Sequence, residues 1–136
     1  MAREYKTLKF PVTAELTEKR SRFVANLFPS PDLSVAVEHL SLVKRKYHDA
    51  KHNAYACVLI SGKKKFSDDG EPGGTAGRPI LDILEKNGIF NVIAIVSRYF
   101  GGVLLGTGGL VRAYSGAVLK AFEVAEFDLM MPCDYC

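Results

Sequence analysis

Apolar residues along this chain change their period several times, and each change marks an element. From Lys6 to Phe10 polar and apolar positions alternate until Pro11, which predicts a first strand at a sheet edge. Between Ala14 and Phe28, Phe23, Ala25 and Leu27 keep a period of two, predicting a half-buried second strand on which Arg20 and Arg22 share the face of Val24. Pro29-Ser-Pro31-Asp32 ends that strand and opens a helix, with Ser30 or Asp32 as N-cap and Leu33, Val37, Leu40, Val43 and Tyr47 at helical spacing. Ala54 to Ile60 is a continuous apolar run of the kind found in central strands. A basic turn, Ser61 to Lys65, leads into a short strand at Phe66-Ser67. Thr75 is placed to cap a second helix carrying Ile80, Leu81 and Leu84 on one face and stopping at Asn87-Gly88. Ile89 to Val96 is the most strand-like run of all, and a third helix turns Leu110, Tyr114, Val118, Ala121 and Ala125 inward.

The stretch between those last two elements, Arg98 to Gly116, organises the chain. Gly101, Gly102, Gly106, Gly108 and Gly109 sit between a buried strand and a helix that both need packing. Glycine there points to positive φ angles or a close backbone approach, and a helix opening from such a loop aims free N–H groups at whatever occupies it. An anion-accepting cleft is the expectation. Arg98 and Arg112 supply charge, the N–H groups near Gly108 and Gly109 cradle an oxyanion, and Tyr99 is placed to stack on a base. The stretch is neither a Rossmann fingerprint, because Val111 stands where the third glycine belongs, nor a Walker A loop, because Thr107 replaces the lysine.

The second wall of this cleft is the loop from Ser67 to Pro79. Asp68, Asp69, Gly70, Glu71, Thr75 and Gly77 are its shaping residues, with His52 beside them at the entry to the central strand. Asp-Asp-Gly-Glu lacks the alternate ligands of an EF-hand. His48 and His52 fail the zincin pattern, which needs a glutamate and a helix to bring both rings together. The favoured reading makes the acids scaffolding: Asp68 or Asp69 caps backbone N–H groups or pairs with Arg98 or Arg78. Neither a metal nor a cofactor is expected.

Composition bounds the rest. The 136 residues are 48% hydrophobic and 24% charged, enough apolar material for one packed domain. A net charge of +3 permits an RNA or acidic partner without demanding one. No apolar run approaches the ~18 residues of a membrane span, and Met1-Ala-Arg-Glu4 is no signal peptide, so a cytoplasmic location is expected. Three cysteines suit a reducing compartment. The Cys133-x-x-Cys136 pair reads as part of a tail over residues 127–136, beyond a domain of residues 1–126.

Phe66 to Pro79 and Arg98 to Tyr114 resemble the two signature blocks of the YigZ/IMPACT family, and Ser21-Arg-Phe23 and His48 to Asn53 match its weaker blocks. The resemblance implies an α+β two-layer sandwich, a mixed sheet with helices on one face, like the second domain of small-subunit ribosomal protein five and the galactokinase-type kinases. It also implies a ferredoxin-like domain following the present chain in bacterial members. Eukaryotic relatives are translational regulators that bind the co-activator of a starvation-responsive initiation-factor kinase. Three functions are therefore expected in descending order. The first is a translation-linked binding domain holding RNA, nucleotide or another anionic partner in the glycine cleft. A phosphate-handling or metal-assisted hydrolase using Asp68, Asp69 or Glu71 comes second, and a protein-docking module third.

Overall fold

The computed structural model describes residues 4–131. Five strands form one sheet in the order β2-β3-β6-β4-β5: β2 (Val12–Glu18), β3 (Ser21–Pro29), β4 (His52–Val58), β5 (Lys64–Ser67) and β6 (Val92–Tyr99). Three helices pack against it, α1 (Leu33–Lys46), α2 (Gly77–Lys86) and α3 (Gly106–Val124). The α+β class is the expected one. The sheet, expected as mixed, has antiparallel ladders throughout.

The helices do not share one face as expected. Alternate residues of β6 point to opposite sides: Val92, Ala94 and Val96 join α2 and α3 in one core, while Ile93 and Ile95 join Ala36, Leu40 and Val43 of α1 in another. Both sides of the central strand are thus buried, which is why its sequence lacks a polar alternation. Asp32 caps α1, its Oδ1 accepting from the Val35 N–H at 2.9 Å, and Lys44, Arg45 and Lys46 suit its negative end. On the other face α3 lies close to β2: a Cβ on Gly116 would meet Leu16 Cδ2 at 3.2 Å.

The sequence from Ala14 to Phe28 is a hairpin, with Glu18 opposite Ser21 across a two-residue turn. Arg20 therefore sits in the turn and leaves the strand face it was expected to share with Arg22. Lys19 and Arg20 have φ values of 45° and 68°, the primed-turn geometry that suits a tight hairpin. Asn-Gly is the usual occupant, because a left-handed backbone costs other residues about 1 kcal/mol or more each. That choice of residues hid the turn from the sequence pattern.

The first strand, β1 (Tyr5–Leu8), lies outside the main sheet. It pairs antiparallel with β7 (Phe127–Met130), so residues 127–130 form a strand where a tail was expected. The cysteines at 133 and 136 lie outside the described residues. Among the described residues no helix is long and apolar enough to cross a membrane.

Candidate functional site

The sheet places three side chains in a row. Arg98 on β6 is in register with Phe23 on β3 and with His52 on β4, so all three point to the α2–α3 side. Arg98 is only 5% exposed, and a cation there needs a partner. Glu71 supplies it: Arg98 Nη1 donates to Oε1 at 2.9 Å and to Oε2 at 2.8 Å. The Tyr114 hydroxyl of α3 donates to the same Oε2, and His52 Nε2 stands 3.5 Å from Oε1. Burial, with Glu71 close by, pushes the Tyr114 phenol far above its usual range and keeps it a donor. The guanidinium also stacks between aromatic rings, 5.8 Å from the centre of Phe23 and 5.5 Å from that of Phe100.

Strained loop backbone sets His52 and Glu71 in place. Asp69 and Gly70 both have positive φ, 46° and 90°. This turns the Asp69 carbonyl onto His52 Nδ1 at 2.7 Å, so that Nδ1 carries a proton, and leaves Gly70 against the ring, where a Cβ would lie 3.3 Å from Nδ1.

The other acids are scaffold. Asp68 Oδ1 accepts from the Ala76 and Gly77 N–H groups at 3.1 and 2.9 Å, and Oδ2 accepts from Gly74 at 2.9 Å. Burial works against the charged form of Asp68, but these three bonds outweigh it and hold the carboxyl below its usual range. Asp68 is thus the cap that α2 needs. Thr75, expected in that role, instead donates to the Pro72 carbonyl at 2.6 Å, and Gly77 lies so close to the Ser67 backbone, 2.7 Å from an added Cβ, that no larger residue fits. Asp69 Oδ2 accepts from the Asn53 N–H at 2.7 Å. The partner expected for Arg98 among Asp68 and Asp69 is Glu71, and Arg78 pairs with Asp82 at 2.9 Å. Among the described residues no group of three His, Cys, Asp or Glu side chains is placed to share a metal ion.

Above this network lies a cleft of about 410 Å³ between the two expected walls, with Gly70, Glu71 and Pro72 on one side and Gly106, Thr107 and Leu110 on the other. Its rim is apolar and open: Phe100, Leu104 and Leu105 line it, and Leu104 is 80% exposed. Lys51 completes the rim, with Nζ 5.7 Å from the Phe100 ring centre.

The remaining expected ligand residues are dispersed. Arg112 and Gly109 line a different pocket of about 180 Å³, together with Leu16, Glu18, Lys19 and Leu105. Tyr99 alternates to the α1 side of the sheet, where its hydroxyl donates to Asp49 at 2.9 Å and Arg22 stacks over its ring at 5.2 Å. Gly101 is a packing position: an added Cβ would lie 2.1 Å from the Arg20 carbonyl oxygen, and its N–H donates to Ser21 Oγ at 3.3 Å. Gly102, at φ 85°, turns the loop and does not line the cleft. Gly108 lies beneath the Arg112 side chain, an added Cβ falling 3.3 Å from Nη1. Tyr114 and Lys51 were not expected at the site. Tyr114 is the one with a signal: an inward tyrosine on a helix needs a partner for its hydroxyl.

An Impact N-terminal domain model matches residues 19–122, which contain every residue of this network. The chain belongs to the IMPACT family. It is 39% identical to an IMPACT family member of Haemophilus influenzae, over 97% of this chain and 69% of the relative. It is 44% identical to IMPACT family member YigZ of Escherichia coli, over 83% of this chain and 57% of the relative. Several bacterial relatives are thus longer, and this chain spans less than two thirds of YigZ. Protein IMPACT of Homo sapiens is 35% identical over 67% of this chain and 30% of its own length. A crystal structure of a hypothetical protein superposes with a TM-score of 0.88 at 38% identity, covering 95% of this chain and 65% of that one. The two-domain translational regulator Yih1 shares the fold, with a TM-score of 0.52 at 24% identity over 88% of this chain and 47% of its own.

Proposed function

We propose that this chain is a non-catalytic, translation-linked regulatory domain that docks a protein partner through the cleft, seating an apolar side chain against Phe100, Leu104 and Leu110. The bond between Arg98 and Glu71 carries this reading. The guanidinium expected to meet an anion is matched by a carboxylate before any ligand arrives, while the rim above it is apolar and exposed. Asp68, Asp69 and Glu71 are each bonded to separate donors within the scaffold, which favours binding over hydrolysis. IMPACT family membership and the fold shared with a translational regulator support the link to translation.

RNA or nucleotide in the same cleft is the second reading, favoured by Lys51 on the rim and by the opening turn of α3 at Gly106 and Thr107. Panning a displayed short-peptide library against the immobilised domain separates the two. Enrichment of peptides with an apolar anchor is expected, with affinity falling by about tenfold or more in Leu104→Asp. Peptides that bind Leu104→Asp equally well would overturn the docking site. Absence of peptide binding, together with nucleotide binding weakened by Lys51→Gln, would establish the second reading in its place.

A further inference from the structure

The pocket on the other side of Leu105 has the opposite character. Lys19 and Arg112 line it, Glu18 is the one acid among its lining residues, and Arg20 stands next to Lys19 at the hairpin tip. Lys19, Arg20 and Arg112 are all exposed, and none makes a salt bridge among the described residues. Three neighbouring cations that outnumber the one acid, Glu18, create a local positive field that fold stability does not require.

The backbone beneath them adds an independent observation. Lys19 and Arg20 hold φ values of 45° and 68°, which asparagine and glycine adopt at much lower cost. The tip is also locked rather than loose, because the Arg20 carbonyl presses on Gly101 so closely that a side chain there is excluded. Two long cationic side chains thus occupy strained positions on a rigid support, where a better turn sequence is available. Strain kept at a rigid surface site is a mark of function.

We propose that the β2–β3 tip and the first turns of α3 form a contact surface for the phosphate backbone of single-stranded RNA. The pocket, at about 180 Å³, has room for a phosphate group beside Lys19 and Arg112. Arg20, outside it, is placed for a neighbouring phosphate, so the surface suits a chain of phosphates better than a single anion. Glu18-Lys19-Arg20-Ser21 carries no apolar side chain to enter a bilayer. Recognition of this kind is electrostatic and insensitive to sequence. The surface is separate from the apolar cleft and stands or falls independently of the ligand there.

Fluorescence anisotropy with a labelled oligouridylate, between about 50 and 200 mM salt, tests the proposal. The double variant Lys19→Asn/Arg20→Gly keeps the turn and removes both charges. It is expected to melt at or above the wild-type temperature while binding about tenfold more weakly at low salt. The slope of log affinity against log salt should flatten by about 1.4, or about 0.7 for each phosphate that is no longer neutralised. Arg112→Gln, on the exposed side of α3 and outside the turn itself, should flatten it by about 0.7 whatever the double variant does to folding. Glu18→Gln should tighten binding, and Leu104→Asp should leave it unchanged. Wild-type protein that does not bind the oligonucleotide, or an affinity and slope unmoved by both cationic variants, would overturn the assignment. Binding lost in Leu104→Asp but retained in Arg112→Gln would place RNA in the cleft and also overturn it.

Discussion

Leu105 separates two cavities with opposite electrostatic solutions. On one side a guanidinium and a carboxylate are buried, bonded to each other and held by a tyrosine, with a histidine beside them. On the other, cations are exposed and unmatched over a strained turn. A buried ion pair is rigid because either charge alone in that place is costly, so it shapes the cleft. An exposed cation costs little to leave unpaired in water and remains free to meet a ligand. Charge in a cleft therefore says little about ligand charge until its partners are known.

The sharpest way to break this comparison is to remove Glu71. Glu71→Ala leaves Arg98 buried without a counter-charge and should lower unfolding free energy by about 3–5 kcal/mol, measured by urea denaturation. Adding Arg98→Met should recover a large part of that loss; a double variant no better than the sum of its parts would mean that the pair is not coupled. Gly101→Ala attacks the boundary between the regions, forcing the hairpin tip off the glycine loop. A loss of about 1–3 kcal/mol is expected, with ligand binding on both sides affected.

Asp68→Ala should cost about 1–2 kcal/mol by uncapping α2. Its pH dependence follows from a folded carboxyl held below the ordinary value of 3.8. The unfolded chain takes up the proton first, so the contribution is complete above that value and fades as pH falls through the folded pKa. The gap between wild type and Asp68→Ala should accordingly narrow in acid and stay constant from neutral pH upward. The smallest effect belongs to the exposed side: Lys19→Asn/Arg20→Gly should gain about 1 kcal/mol by relieving the turn. Destabilisation by that pair would mean that the tip is not strained.

Much of the fold was legible because periodicity reports burial directly. The central strand, all three helices and the Asp32 cap follow from local pattern, and the two walls of the cleft from their glycines. Two kinds of feature were not legible. Lys19-Arg20 breaks the rule that a tight hairpin turn announces itself with Asn-Gly, so one hairpin read as one strand. The partner of Arg98 was also hidden, since three acids within four residues are alike in sequence, and only the turn at Asp69-Gly70 decides that Glu71 faces inward. Asp68 became the α2 cap by the same turn, from a distance that no capping motif spans.

The pairing of β1 with β7 has a mechanical consequence. Tyr5 stands opposite Met130, so the outer ends of both strands lie at the same end of the little sheet. A pull on the two ends of the described chain opens this pair one bond at a time, like a zipper, and never loads its hydrogen bonds together in shear. Until the zipper has run, the pull reaches the main sheet only through the two backbone bonds of Lys6 with Gly88 and Phe90, ahead of β6. An unfolding motor gripping either end should meet its real resistance only afterwards, at the hairpin of β2 and β3 from one side and at α3 from the other.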